Sequence, residues 1–413
     1  MAEALADHVH APIAKGRVRF GATIVIGHAL KHIYLSSLAA VLLPEIKLGL
    51  GLSATQVGTL VSVQQFTGWF STMASGYLGD RFTSKTALLL GVSLGLTGVS
   101  YFLLGIANSY LLLLLAMLVV GVGPSLFHPP ALGALSRRFP DRRSFAISMH
   151  GTGGSIGEAT GPLIAAGLLA FLTYRGVLEI SAIPAIVVAF LMWTMLKQDH
   201  ATVAQGHSSF KQYIGSFGRL LAQRALLLIC LVTALRSVGQ AMTTTFLPVY
   251  LREDLGYSAG LVAVYIAMAQ VVGIGSQPLM GFMSDRFGHK RVLVPALSIF
   301  AFLFLLVPIA DGKVELAFVI LALGAFLFSL HAILIAAAAE LVPEDMQSTV
   351  VSLIYASSFI GALAPTVAGV IGDKYGLEST FLMSAVLVGA SAIVLMFTRL
   401  PKRQAQSVSI SSG

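Results

Sequence analysis

Apolar residues in this chain neither alternate with polar ones nor sit one per helical turn. They run in blocks of roughly 20, such as Leu88 to Ala107, Tyr110 to Leu135 and Val292 to Ile309. A helix of that length, rising about 1.5 Å per residue, crosses a hydrocarbon core about 30 Å thick. Barrel strands would show period-two alternation, which is missing, so helices are the spanning elements that can satisfy every backbone polar group in lipid. Punctuation by proline, glycine and charge predicts helices over 20–44, 55–79, 86–107, 110–136, 145–172, 176–196, 223–250, 258–283, 290–310, 314–340, 347–371 and 378–399. The predicted class is an all-α membrane protein of twelve transmembrane helices.

The one long polar connection, Lys197 to Gln223, separates two sets of six. Expected units are a cytoplasmic N-terminal segment 1–19, a six-helix bundle 20–196, a cytoplasmic linker 197–222, a second bundle 223–400 and a cytoplasmic tail 401–413. Composition agrees with a lipid-facing chain: 56% of residues are hydrophobic and 11% charged, against roughly 25% charged in soluble domains. The apolar stretch after Lys15, Arg17 and Arg19 is too long for a signal-peptide core and lacks a small-residue cleavage site, so it reads as a retained first helix. The single cysteine, Cys230, lies in an apolar run and reads as a core thiol.

Charge placement gives orientation. Connections on the side shared by both termini hold 19 of the 26 Lys and Arg; the opposite side holds five, Lys47, Arg175, Arg252, Lys313 and Lys374. Cytoplasmic loops carry the excess, so both termini are expected in the cytoplasm, with the protein in a bacterial inner membrane. The net charge of +8 is largely this signal and does not point to nucleic acid.

The halves repeat. Gly76-Tyr-Leu-Gly-Asp80-Arg81 after the second span matches Gly281-Phe-Met-Ser-Asp285-Arg286 after the eighth at an offset of 205. Pro44 matches Pro248 at 204, while His128 and Pro162 match His331 and Pro365 at 203. Equal topology in both halves makes these parallel repeats about an axis along the membrane normal.

With these landmarks the sequence resembles the major facilitator superfamily. The two G-x-x-x-D-R loops are similar to its motif between the second and third helices. That motif is complete in the second half, where Gly288, Lys290 and Arg291 follow, and has Thr83 in place of the usual glycine in the first. The resemblance implies a conformational gate at Gly76, Asp80, Arg81, Gly281, Asp285 and Arg286, whose charge-assisted contacts exist in one of two states. Gly153, Gly157, Gly161 and Pro162 in the fifth span are similar to the antiporter motif, with Ala165 and Ala166 in place of its terminal glycines. Gly121-Val-Gly123-Pro-Ser125-Leu-Phe127-His128-Pro129 in the fourth resembles the fosmidomycin-resistance-type efflux proteins.

Ionisable groups at membrane depth usually face a cavity and mark a pathway. Lys31 and Arg236 each lie roughly 16–18 Å along their helices, near the midplane, and are repeat equivalents at the offset of 205. By the resemblance, helices 1 and 7 line the central cavity, and organophosphate antiporters of the superfamily place a basic residue on each. An anionic substrate is expected, held by the Arg fork and the Lys point charge. His28, Lys31 and His32 share a helix face by their i, i+3, i+4 spacing, as do Arg236, Gln240 and Thr243. His128 and His331 add an imidazole each, which completes an expected substrate-binding set of His28, Lys31, His32, His128, Arg236, Gln240 and His331. Glu158, deep in the fifth span, reads either as a proton carrier or as the ion-pair partner of Lys31 or Arg236.

The expected function is secondary active transport by alternating access, proton-coupled or by exchange, of a small organic anion of carboxylate, phosphonate or phosphate type. No G-x-x-x-x-G-K-[ST] sequence offers a nucleotide motor. The runner-up is proton-coupled export of neutral or cationic drugs through apolar walls and Glu158. A membrane metalloenzyme on His28-x-x-x-His32 is set aside because the ten histidines are scattered and Lys31 repels an ion. A receptor or channel on the same fold is the remaining class. Expected partners are the substrate, protons and the lipid bilayer; the chain is expected to be a monomer without cofactor, metal or catalytic residues.

Overall fold

The computed structural model describes residues 15–139, 142–196, 223–310, 312–327, 329–342 and 347–398. The expected linker 197–222, the tail 401–413 and residues 1–14 of the N-terminal segment lie outside the described residues. Among the described residues the chain is all-helical. The helices are α1 (Lys15–Ser37), α2 (Leu43–Leu50), α3 (Ala54–Arg81), α4 (Thr86–Ile106), α5 (Tyr110–Ser125), α6 (His128–Arg138), α7 (Arg143–Leu169) and α8 (Tyr174–Leu196). The second half runs α9 (Arg224–Glu253), α10 (Ala259–Phe287), α11 (His289–Leu306), α12 (Lys313–Leu327), α13 (Leu330–Ala339), α14 (Gln347–Ser358), α15 (Ala364–Tyr375) and α16 (Glu378–Phe397). Among the described residues ten stretches are long and apolar enough to cross a membrane. The second and fifth predicted spans correspond to α3 and α7, helices of 28 and 27 residues that are more polar than those ten.

Several predicted spans are continuous in the sequence pattern but interrupted in the structure, and proline explains two of the breaks. Pro44 has no N–H to offer, and the preceding turn widens to a π-turn over Leu38–Leu42 in which Leu43 N–H reaches back to Leu38 O. Pro129 and Pro130 likewise remove donors from the fourth predicted span, which splits into α5 and α6. The freed carbonyl of Leu126 accepts instead from Ser75 Oγ at 2.9 Å, while the carbonyl of Gly123, already bonded by Leu126 N–H at 3.2 Å, takes a second bond from Ser93 Oγ at 2.6 Å. The tenth predicted span splits into α12 and α13, and the eleventh tightens into a 3-10 turn over Phe359–Leu363. Ends are capped conventionally: Ser53 and Gln56 form a reciprocal capping box at α3, and Gly51 ends α2 at φ 61°, a left-handed conformation that favours glycine.

Two compact units emerge, Met1–Gln205 with Leu251–Ala267, and Gly206–Tyr250 with Met268–Gly413. In the first, α1 packs along α7, α4 along α8 and α3 along α5; in the second, α11 packs along α16. Part of the first unit's core is an apolar cluster built from Phe20, Ile24, Leu90, Leu94, Phe127 and Met192. Within this unit two ion pairs, Lys47 with Glu253 and Arg252 with Glu45, tie α2 to the end of α9.

Candidate functional site

The site in the first unit exists because α1 and α7 come unusually close. A Cβ added at Gly157 would lie 2.2 Å from Ala29 O, at Gly153 2.8 Å from Val25 O, and at Gly161 2.5 Å from Ile33 O. Glycine at each step lets one backbone lie on the other, the small-residue packing used where helices meet in lipid. Ser37 Oγ donates to Gly161 O at 2.7 Å and Ser36 Oγ to Gly157 O at 3.3 Å across this seam. The fifth-span glycine motif therefore lies against the helix carrying His28, Lys31 and His32.

That packing gathers four imidazoles and a carboxylate. His28 Nδ1 donates to His150 O at 2.7 Å, and its ring stacks on that of His150 with centroids 3.6 Å apart. His32 Nδ1 lies 2.9 Å from Glu158 Oε1, and His32 Nε2 lies 3.0 Å from His28 Nε2. His128, delivered by the break between α5 and α6, has its ring 4.6 Å from that of His28 and its Nδ1 3.4 Å from His150 Nε2. Lys31 is buried, 3% exposed, and makes no hydrogen bond to a described residue; the charge of Glu158 acts on it. It lines a cavity of about 330 Å³ with Gln64, Trp69, Thr72, Ser125 and His128.

Sequence reasoning had His28, Lys31, His32, His128 and Glu158 but missed His150, which supplies both a carbonyl and a stacking ring. Its signal was position: eight residues before Glu158, two turns along the same helix, on the face that glycine keeps open.

In the second unit Arg236 is 2% exposed. Its Nη2 donates to Leu327 O at 2.8 Å, and Gln240 Nε2 donates to the same carbonyl at 3.0 Å. Both residues thus cap the C-terminal end of α12, where the tenth predicted span breaks. Arg236 Nε is buried without a hydrogen-bond partner among the described residues. His331 feels the charge of Arg236, and its ring lies 5.1 Å from that of Tyr355. Thr243, expected on the same helix face, bonds Ser384 at 3.1 Å.

Of the expected gate, Asp80 and Arg81 close α3 and their side chains lie outside the described residues; Gly76 and Gly281 face open space. Asp285 and Arg286 line a cleft of about 760 Å³ with Ser284, Lys290 and Glu340. Gly288 adopts φ 92° there, a value that strains any side chain. His289 bridges Ser284 Oγ at 2.6 Å and Glu340 Oε1 at 3.1 Å.

Comparison with known proteins adds identity to this geometry. The profile of the Major Facilitator Superfamily matches residues 26–281 and 229–412. The fosmidomycin resistance protein of Escherichia coli (strain K12) is 25% identical over 387 residues, covering 91% of this chain and 92% of that protein. The multidrug resistance protein MdtG of Proteus mirabilis (strain HI4320) is 25% identical over 350 residues, covering 81% and 84%. Among solved structures, the nucleoside transporter NupG superposes with a TM-score of 0.77 at 14% identity, covering 92% of this chain and 98% of that one, a likeness of fold.

Proposed function

Given that this chain belongs to the major facilitator superfamily and is a multi-pass secondary transporter rather than an enzyme, we propose that it moves a small organic anion of carboxylate, phosphonate or phosphate type. Transport runs by alternating access across a bacterial inner membrane, coupled to protons or to a counter-anion, by a monomer with both termini in the cytoplasm. Lys31 and Arg236 bind the anionic group; Gln240 and His331 stand beside Arg236, and His28, His32 and His128 beside Lys31.

One observation carries the reading. A buried ammonium, Lys31, lines a cavity of about 330 Å³ without a hydrogen bond to any described residue. Removing a charge from water at that depth is costly unless a partner arrives, and the cavity beside it supplies the route for one. Arg236, its repeat equivalent, likewise keeps a buried Nε without a hydrogen-bond partner among the described residues.

The test is a thermal-shift titration of the purified full-length protein against small carboxylates, phosphonates and cationic drugs, since stabilisation grows with ligand concentration relative to Kd. Anions stabilise the wild type, and Lys31→Ala and Arg236→Ala each abolish the shift. Stabilisation by cationic drugs alone, unchanged in both variants, refutes it. That outcome would favour export of neutral or cationic compounds, the second reading, which the multidrug resistance name of a relative and Trp69 in the cavity wall support.

A further inference from the structure

We propose that His28, His32 and His128 form a binding site for a divalent transition-metal ion of the borderline class that includes Zn²⁺, Co²⁺ and Ni²⁺. One ring nitrogen from each lies within 4.8 Å of the others. Three imidazoles suit such ions, which take metal–nitrogen bonds of about 2.0–2.1 Å.

The hydrogen bonds around the cluster fix which nitrogens are bare. A backbone carbonyl only accepts, so His28 Nδ1, 2.7 Å from His150 O, carries its ring's proton. A carboxylate accepts likewise, so His32 Nδ1, 2.9 Å from Glu158 Oε1, is also the protonated nitrogen. In both neutral rings Nε2 is then a lone pair, and these two lone pairs face each other at 3.0 Å. Two acceptors at that distance repel unless a cation stands against both. A tetrahedral ion with those bond lengths holds its nitrogen ligands roughly 3.3 Å apart, close to the spacing present.

The outer contacts are those of a ligand set. Metal-bound histidines characteristically donate their second N–H to a carboxylate or a backbone carbonyl, which fixes tautomer and ring orientation. Here His32 has the carboxylate and His28 the carbonyl. Stacking of His28 on His150, with 12° between the rings, holds the orientation further. Lys31 on the same helix opposes a divalent ion, and Glu158 offsets it with one negative charge. His128 also borders the cavity of Lys31, which leaves a coordination position on that side for water or an anionic oxygen. The inference is independent of the anion reading, because the ion can be titrated with no organic anion present.

The experiment uses the full-length protein, purified in detergent without a polyhistidine tag, stripped with chelator and titrated with Co²⁺ alone. Expected are the visible d–d bands of nitrogen-ligated Co²⁺ saturating at one equivalent, displaced by Zn²⁺. His32→Ala and His128→Ala abolish the bands, and Glu158→Gln, which replaces the carboxylate on His32 Nδ1 with a neutral and weaker acceptor, weakens binding about 10- to 100-fold. Thermal unfolding of each variant establishes that it is folded; His128→Gln replaces any that is not. Absence of the bands, or bands equally strong in folded His32 and His128 variants, overturns the proposal and leaves a single proton shared between the two Nε2 atoms.

Discussion

Gly157→Ala tests the seam on which the first unit's site depends. The added Cβ falls 2.2 Å from Ala29 O, 1.2 Å short of the 3.4 Å at which ordinary contact begins, and 2.9 Å from the Cβ of His32. The obstacle is backbone, so rotamer changes give no relief and α1 must move away from α7. Overpacking of this kind costs about 1–3 kcal/mol. Opposing it, alanine is a better helix former than glycine by about 1 kcal/mol. Separation by the missing ångström also stretches the 2.9 Å bond between His32 and Glu158 beyond hydrogen-bonding range. Gly151, six residues earlier on the same helix, has nothing among the described residues within 4 Å of its would-be Cβ. Gly151→Ala is therefore the control, with the propensity gain and no clash. Measured by thermal unfolding of the full chain in detergent, Gly157→Ala should melt below wild type and Gly151→Ala at or above it. Equal melting of the two variants would refute the close approach of α1 and α7.

Glu158→Gln keeps a hydrogen-bond acceptor for His32 but removes the negative charge that acts on Lys31, so thermal stability should drop by about 1–3 kcal/mol; unchanged stability with loss of only the response to a pH gradient would assign Glu158 to proton coupling instead. Arg236→Ala should cost about 1 kcal/mol or less because Gln240 still donates to Leu327 O, whereas the double change Arg236→Ala with Gln240→Ala orphans that carbonyl and should cost about 1–3 kcal/mol by the same unfolding assay. Asp285→Asn should leave expression and melting near wild type while slowing flux in proteoliposomes, as expected of a contact that biases one conformer; unchanged turnover removes the gate role.

The membrane class and the positions of the helices were legible because burial in lipid demands apolar runs of fixed length, which nothing else in the sequence imitates. The interruptions were less so. Pro44, Pro129 and Pro130 stand plainly in the chain, yet whether a proline kinks, widens or splits a helix depends on what satisfies the freed carbonyls. Ser75, which does so for Leu126, lies 51 residues away. The histidines of α1 could be placed on one face by spacing alone. That this face meets His150 and Glu158 follows from the approach of α7, and the glycines permitting it read in sequence as a family motif rather than as a seam. Arg236 was legible as a buried cation, but not as the cap of a helix end nearly a hundred residues on, because the break after Leu327 carries no proline to announce it.

Lys31 and Arg236, equivalent by repeat, have been given unequal counter-charges. Glu158 brings a full negative charge to act on Lys31, and part of that charge is spent on His32. Arg236 faces the end of α12, whose carbonyls carry the equivalent of about half a negative charge, and no carboxylate is ion-paired with it among the described residues. The uncompensated positive charge is therefore greater at Arg236. Its guanidinium also holds five donors in a fork, of which Nη2 is committed to Leu327 and Nε is not. An anion bound by both residues should owe more of its affinity to Arg236, in charge and in geometry alike. Arg236→Lys should then weaken binding even though the charge is kept, since an ammonium cannot cap Leu327 and present a second donor in the same plane. Lys31→Arg, which keeps the charge and adds donors, should be tolerated better in affinity if the cavity of about 330 Å³ accepts the longer side chain. Measured side by side by ligand-induced thermal shift, the reverse order of affinities would show that the first unit, with its carboxylate, dominates recognition after all.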